Sequence, residues 1–287
     1  MKTPNTTVLM PVHGLAPYLG EAISSVLAQT RREIELLIVF DRPEQNAIDT
    51  VKEFEKIDGR IRSIHSSEPG ISAALNLGIS QSNTALIARL DCDDVMDPER
   101  LEKQELLLQD ERIVCAGSQL RIMDSNGIAI RYTHYPTGAS AIKSSLRIRN
   151  VVAHPSVTFK KTAFDLVGGY REQFNGSEDY DLWIRLSRIG RIVNMDQPLT
   201  NYRIHENQAS GKNKEIQIQL DASVRLNNFK KQTDKSGIIS ALLINKAIKS
   251  SGIQRIWHMV LATLINPLAV IRFLIWQYIP EVFANDR

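Results

Sequence analysis

Short apolar runs alternate with stretches of helical periodicity through the first hundred residues. Thr7 to Val12, Ile34 to Phe40 and Ala85 to Leu90 are such runs, with a shorter strand predicted from Arg60 to His65. Runs this short, bounded by polar residues, suit strands buried on both faces. Between them, Pro17 opens a helix with Tyr18/Leu19, Ala22/Ile23 and Val26/Leu27 on one face. A second helix carries Ile48, Val51, Phe54 and Ile57, and a third runs from Ile71 to Ser80 after the Pro69-Gly70 break. Strands that alternate with helices predict a parallel sheet of βαβ units.

The pattern then changes. Asp97 as N-cap and Pro98 in the first turn open a helix expected to reach Asp110. Ile113 to Met123 and Ile128 to Tyr132 flank Asn126-Gly127, a hairpin signal. Another strand is expected over Ser156 to Phe159, followed by a short helix stopped at Gly168-Gly169. Ser177 caps a helix bearing Leu182, Trp183, Leu186 and Ile189, which ends at Gly190, and a last strand runs from Leu199 to Ile204. Trp183 lies on that helix's apolar stripe and is expected in the core. The fold class is therefore α/β, with a mixed sheet flanked by helices.

The run Ala85 to Leu90 ends abruptly in Asp91-Cys92-Asp93-Asp94. Open α/β sheets bind ligands at the carboxyl ends of their strands. In an extended segment Asp91 and Asp93 point to one side, and Arg89 shares that side with Asp91. Two converging carboxylates suit a hard divalent cation, Mg²⁺ or Mn²⁺, with positions left for phosphate oxygens. The same acids also suit a turn that caps a helix.

Hydrophobic residues make up 43% and charged residues 23% of the 287, an ordinary balance for a soluble globular chain. The two cysteines, Cys92 and Cys115, form no disulfide framework or zinc spacing, and Thr7 follows a short polar start without a signal peptide. A cytoplasmic location is the simplest expectation. Met10 to Ala16 holds one glycine and no Lys or Arg. That excludes the G-x-G-x-x-G of dinucleotide enzymes and the Gly-Lys-Ser/Thr of P-loop enzymes, and disfavours a nucleotidyltransferase.

Taken together, these stretches resemble the family 2 inverting nucleotide-sugar glycosyltransferases of the GT-A fold, over residues 5–208. The matching segments are Val8-Leu-Met-Pro-Val12, Glu35 to Asp41, Gly70 to Ile79, Leu90 to Asp94, Val167-Gly-Gly-Tyr170, Glu178 to Leu186 and Tyr202-Arg-Ile-His205. The resemblance implies a Rossmann-like GT-A catalytic domain at 1–211 that moves a sugar from a nucleotide diphosphate, UDP by default, to an acceptor hydroxyl. It assigns metal binding to Asp93 and Asp91, and the catalytic base to Asp179. It assigns donor contacts to Pro11, Val12, His13, Asp41, Asn76, Arg89, Asp91 and Cys92, with Glu178 and His205 as further candidates. Carboxylates in a helix's first turn are also favoured by the helix dipole without catalysis. The chain departs from the family at the nucleotide end, reading Phe40-Asp41-Arg42-Pro43 for the usual Asp-Asp-Gly-Ser and His13-Gly14 for Tyr-Asn.

Residues 212–287 form a helical extension with 11 Lys and Arg against 5 Asp and Glu, whereas residues 1–211 carry 24 against 27. Helices are expected over Ile216 to Phe229 and Ile238 to Ile248. The apolar segment 253–283, divided by Asn266-Pro267, is too short between its breaks to span a membrane. It reads either as amphipathic helices on the inner face of the cell membrane or as a docking face for the catalytic domain or a second subunit. The charge asymmetry favours the membrane. The expected acceptor is a saccharide or lipid-linked saccharide in surface polysaccharide synthesis, and no nucleic-acid partner is expected. The rival from another class is a non-catalytic sugar-nucleotide-binding protein, which would keep Asp91 and Asp93 but have no need of Asp179.

Overall fold

The computed structural model describes residues 5–206, 208, 214–229, 243 and 252–265. The chain divides into two compact units, Met1–Lys212 and Asn213–Arg287. In the first, strands β1 (Thr6–Gly14), β2 (Ile34–Pro43), β3 (Ile61–His65) and β4 (Leu86–Arg89) alternate with helices α1 (Leu19–Leu27), α2 (Gln45–Ile57) and α3 (Ile71–Ser80). The four strands are parallel, in the order β3-β2-β1-β4.

Alternate residues of these strands serve the two faces. Val8, Met10, Val12, Leu36, Ile38 and Phe40 pack in one core with Leu19, Ile23 and Val26 of α1 and Val51 of α2. Full burial of such a side chain contributes about 1.5–3 kcal/mol. On the other face α3 approaches so closely that a Cβ on Gly78 would lie 2.3 Å from Leu9 Cδ1 and 2.8 Å from Val39 Cγ2. A glycine is required there by contact. Burial on both faces explains why these strands read as nearly unbroken apolar runs.

The remaining elements of this unit are β5 (Val95–Met96), α4 (Arg100–Leu107), β6 (Ile113–Met123), β7 (Ala129–Tyr132), α5 (Ala139–Ser145), β8 (Thr158–Lys160), α6 (Lys161–Leu166), α7 (Glu178–Ile189) and β9 (Arg191–Arg203). Strand β8 runs antiparallel between β4 and β6, and β9 lies between β6 and β5. The expected hairpin forms as β6 and β7. Because β1 has parallel neighbours on both sides, the chain order reverses there, which opens a crevice beyond the carboxyl ends of β1 and β4.

Several expected boundaries are corrected. Helix α4 begins at Arg100, not Pro98, and stops at Leu107. The reason is β5: Val95 and Met96 pair with Asn201 and Thr200, and the Asp97 N–H donates to the Leu199 carbonyl at 3.0 Å. The chain leaves the sheet only at Asp97, whose carboxylate accepts the Glu99 N–H in a turn before the helix. The last strand is longer than expected because β9 follows β6 in parallel from Arg191, with register shifts near Gln119. Ile57 is exposed at the end of α2 instead of joining the core. Trp183 is fully buried, as its position on the apolar stripe implies.

In the second unit, α8 (Lys214–Phe229) and α9 (Gly252–Ile265) are described. The expected helix at Ile238 to Ile248, apart from residue 243, and the segment 266–283 lie outside the described residues. Ile253, Ile256, Trp257, Val260, Leu261 and Leu264 of α9 are exposed, at spacings that share one helix face. Among the described residues, no helix is long and apolar enough to cross a membrane.

Candidate active site

The chain turns sharply after β4. The Asp94 N–H donates to the Asp91 carbonyl at 3.2 Å, so the expected extended segment is instead a tight turn. The acids still converge. Asp91, Asp93 and Asp94 each bring a carboxylate oxygen within 4.8 Å of the others. Asp94 is fully buried, and its Oδ2 has no hydrogen-bond partner among the described residues. Burial first, then the charges of Asp91 and Asp93, push its carboxyl well above the ordinary range. Asp91 is pushed upward by burial and by Asp93, against the pull of Arg89. Crowded, hard oxygen donors of this kind fit a divalent cation.

Two further side chains complete this cluster, one adjacent in sequence and one distant. Arg89, at the end of β4, is buried and pairs with Asp91. His205, just beyond β9, brings Nε2 to 2.9 Å from Asp93 Oδ2 and packs edge-on against Tyr18. The β5–β9 pairing carries the histidine back to the acid turn. Arg203 secures the junction. Its N–H donates to Asp94 Oδ1, its Nε to the Asp93 carbonyl and its Nη2 to Glu21, while the guanidinium lies 4.2 Å from the Tyr18 ring centroid. Cys92 sits between the acids, its thiol pushed up by burial and then by Asp93 and Asp91.

At the nucleotide end, Pro11 and Val12 are buried within β1, while His13 is exposed at its tip. Asp41 Oδ1 accepts from Arg42 Nε at 3.0 Å, and Oδ2 accepts from the Gly70 N–H at 3.1 Å and lies 3.3 Å from His13 Nδ1. Burial would raise the Asp41 carboxyl, but the hydrogen bonds from Arg42 and Gly70 hold it below its ordinary value. Arg42 adopts φ of 50°, a left-handed conformation uncommon for a side-chain-bearing residue. Asn76 is engaged at both ends of its amide: Nδ2 donates to the Tyr170 carbonyl and Oδ1 accepts the Tyr170 N–H, each at 2.9 Å.

The start of α7 brings a second set of acids. Glu178 and Asp181 are buried, and Asp179 is half-buried. Asp181 pairs with Arg171 and with Arg185, whose guanidinium also reaches the carbonyls of Val167 and Gly169. It anchors the loop that leads into α7. Glu178 Oε2 accepts the Gly176 N–H at 2.6 Å, and burial raises its carboxyl. Asp179 Oδ1 accepts the Tyr180 N–H at 2.7 Å, and Oδ2 accepts from Asn150 Nδ2 at 2.8 Å. His154 Nε2 lies 2.8 Å from the Tyr170 hydroxyl, and burial, followed by the charge of Arg89, holds this histidine well below its ordinary value.

Arg89 links the two acid sets. Its charge acts on Asp91 and Asp94 on one side, and on His154, Tyr170 and Glu178 on the other. Glu178 in turn feels Asp91, and Tyr170 feels Asp179. Asn150 and Arg171 escaped the sequence reading, and Tyr170 and Arg203 stood in matching segments without an assigned role. Only Asp181 and Arg185, four residues apart on one helix, carry a spacing that signals their pairing.

The sheet is thus parallel from β3 to β4 and mixed beyond it, with a cluster of carboxylates at the switch-point crevice. The model of glycosyl transferase family 2 matches residues 7–166. The chain belongs to that family and is a glycosyltransferase. It is 34% identical over 241 residues to the O-antigen biosynthesis glycosyltransferase WbnJ of Escherichia coli, covering 82% of this chain and 93% of that one. Staphylococcus aureus TarS 1-349, solved with UDP-GlcNAc, superposes with a TM-score of 0.64 at 14% identity, covering 90% of this chain and 79% of that chain. The mannosyltransferase PcManGT of Pyrobaculum calidifontis, solved with GDP-Man and Mn²⁺, gives 0.58 at 14%, covering 94% and 74%.

Proposed function

We propose that this protein transfers a sugar from a nucleotide diphosphate to a saccharide or lipid-linked saccharide acceptor, with inversion, in bacterial-type surface polysaccharide synthesis. The observation that carries this reading is the convergence of Asp91, Asp93 and Asp94 at the sheet's switch point, one salt-bridged arginine away from Glu178 at the start of α7. The donor assignment draws support from the UDP-GlcNAc and GDP-Man bound by the structural neighbours, and the pathway assignment from the O-antigen relative.

Asp91 and Asp93, with His205 beside them, would hold Mn²⁺ or Mg²⁺. Such an ion supplies Lewis-acid neutralisation of the departing diphosphate. Asp41 and His13, paired across the ends of β2 and β1, would face the nucleoside, and the buried Arg89 holds Asp91. Asp179 is the general base. It takes the proton of the acceptor hydroxyl as that oxygen bonds to the anomeric carbon from the face opposite the diphosphate. The bond from the anomeric carbon to the diphosphate oxygen breaks with its electron pair, so the configuration inverts. The N-terminus of α7 favours the ionised carboxylate that a base requires.

The exposed apolar face of α9, in a unit rich in Lys and Arg, suits adsorption to an anionic lipid surface at the inner face of the membrane. Flotation with vesicles of anionic and of neutral lipid tests this: binding to neither removes the membrane reading, and equal binding to both removes the role given to the basic residues. The central test is a thermal-shift series of UDP, GDP and their sugars with and without Mn²⁺, followed by transfer assays. A ligand that binds only the folded state raises its stability. Metal-dependent stabilisation by one nucleotide diphosphate is expected. Donor binding with no transfer to any saccharide acceptor would favour a non-catalytic binding protein.

A further inference from the structure

Asn150 lies in the stretch between α5 and β8, where no pattern in the sequence marks it. Its amide is nonetheless fully oriented. Oδ1 accepts the Val152 N–H at 3.2 Å, which leaves Nδ2 as the end that faces Asp179, donating to Oδ2 at 2.8 Å. The assignment of donor and acceptor follows from the backbone N–H, which can only donate. Val151 and Val152 are buried, so the backbone that fixes the amide is itself held in the core. The same stretch is fastened to α7 a second time. Tyr180, adjacent to Asp179 and fully buried, donates its hydroxyl to the Leu146 carbonyl at 2.8 Å.

The consequence falls on the carboxylate. The Tyr180 N–H holds Oδ1 and Asn150 Nδ2 holds Oδ2, so both rotation about the side chain and the plane of the group are set by two donors on separate elements. A carboxylate held from two elements presents its oxygens in a fixed direction. A hydrogen bond donated to a carboxylate also favours its ionised form.

We propose that Asn150 is a positioning residue for transfer, one that aims Asp179 and keeps it ionised. The inference rests on the reading of Asp179 as the base. It concerns a residue outside the acid turn and outside the helix that carries the base.

The isosteric variant Asn150→Asp tests it most sharply. Aspartate keeps an oxygen to accept the Val152 N–H, so the loop retains its anchor, but it replaces the donor with a second anionic oxygen. We expect kcat to fall by about 10- to 100-fold, the loss that misplacement of a reacting group typically causes. The acid limb of the kcat–pH profile is expected to move up by about one unit or more, because a neighbouring carboxylate disfavours ionisation. The KM for donor and the thermal shift with Mn²⁺ and nucleotide should stay within twofold of wild type. Asn150→Ala should move the limb in the same direction by less, and it carries the comparison if the aspartate variant does not fold. An unmoved acid limb overturns the proposal, as does a loss that is equal at every pH and is shared by donor KM. Asp179→Asn is run in parallel. If that variant still transfers sugar, the base assignment fails, whatever Asn150 does. If it is inactive while Asn150→Asp keeps the wild-type profile, only the role of Asn150 fails.

Discussion

The two acid clusters of the catalytic unit are built on opposite principles. At the start of α7 the protein compensates its own carboxylates: Asp181 has two guanidinium partners, Glu178 a backbone N–H, and Asp179 both a backbone and an amide N–H. In the turn after β4, three carboxylates share one guanidinium and one imidazole, and one buried oxygen of Asp94 has no donor among the described residues. The first cluster is complete when the chain has folded. The second remains short of positive charge, and Asp91 and Asp94 are pushed toward protonation, whereas at α7 only the buried Glu178 is raised. Acids held by donors on several elements suit a group that must stay aimed, and under-compensated ones suit a site that takes its charge from a ligand.

The comparison is broken most forcefully at Asp179. Asp179→Asn should lower transfer by about 10²- to 10⁴-fold, the range for loss of a general base, while Mn²⁺-dependent donor binding is kept. Retained transfer in a radiolabelled-donor assay would remove Asp179 from the chemistry. Next, Asp181→Ala leaves Arg171 and Arg185 without their buried partner and should cost about 3–5 kcal/mol in urea unfolding. A near-neutral result would show that α7 does not depend on this compensation.

The acid turn responds differently. Wild type should gain about 2.7 kcal/mol when Mn²⁺ with its nucleotide stands at a hundred times the dissociation constant. Asp93→Asn should lose most of that gain with little change in metal-free stability, read by thermal shift with and without EDTA. The smallest effect is expected at Asp94. Its folded carboxyl is raised above the unfolded value near 3.8, so its contribution to stability is fully present below that value and is lost as pH rises through the raised one. Asp94→Asn should therefore stabilise the metal-free protein at pH 7 by about 1 kcal/mol, with the advantage fading as pH falls toward 4. A variant less stable at pH 7 would mean that the turn's charges are already balanced.

Much of the fold was legible because burial on both faces leaves an unmistakable record: strands β1, β2 and β4 read as apolar runs, and Ile71–Ser80 is bounded as expected. The acid turn was also legible, since Asp91, Asp93 and Asp94 are neighbours in the chain. Its shape was not, because a turn and an extended tip draw on the same residues. Helix α4 was misplaced because β5 exists only through its pairing with β9, and a two-residue strand has no period to detect. Asp181 and Arg185 could be paired by helical spacing, but Arg171, the other partner of Asp181, lies on a loop that obeys no period.

The sequence alone determined which segments must be covered on both sides, where the crevice opens and which acids stand at its edge, since hydrophobic period and chain adjacency are local properties. Only the tertiary structure decided that His205 meets Asp93, that Arg89 lies between the two acid sets and that Asn150 faces Asp179. Those contacts join residues as far as 112 positions apart, and a hydrogen bond across such a distance is fixed by how the sheets and helices pack, not by anything written beside either residue.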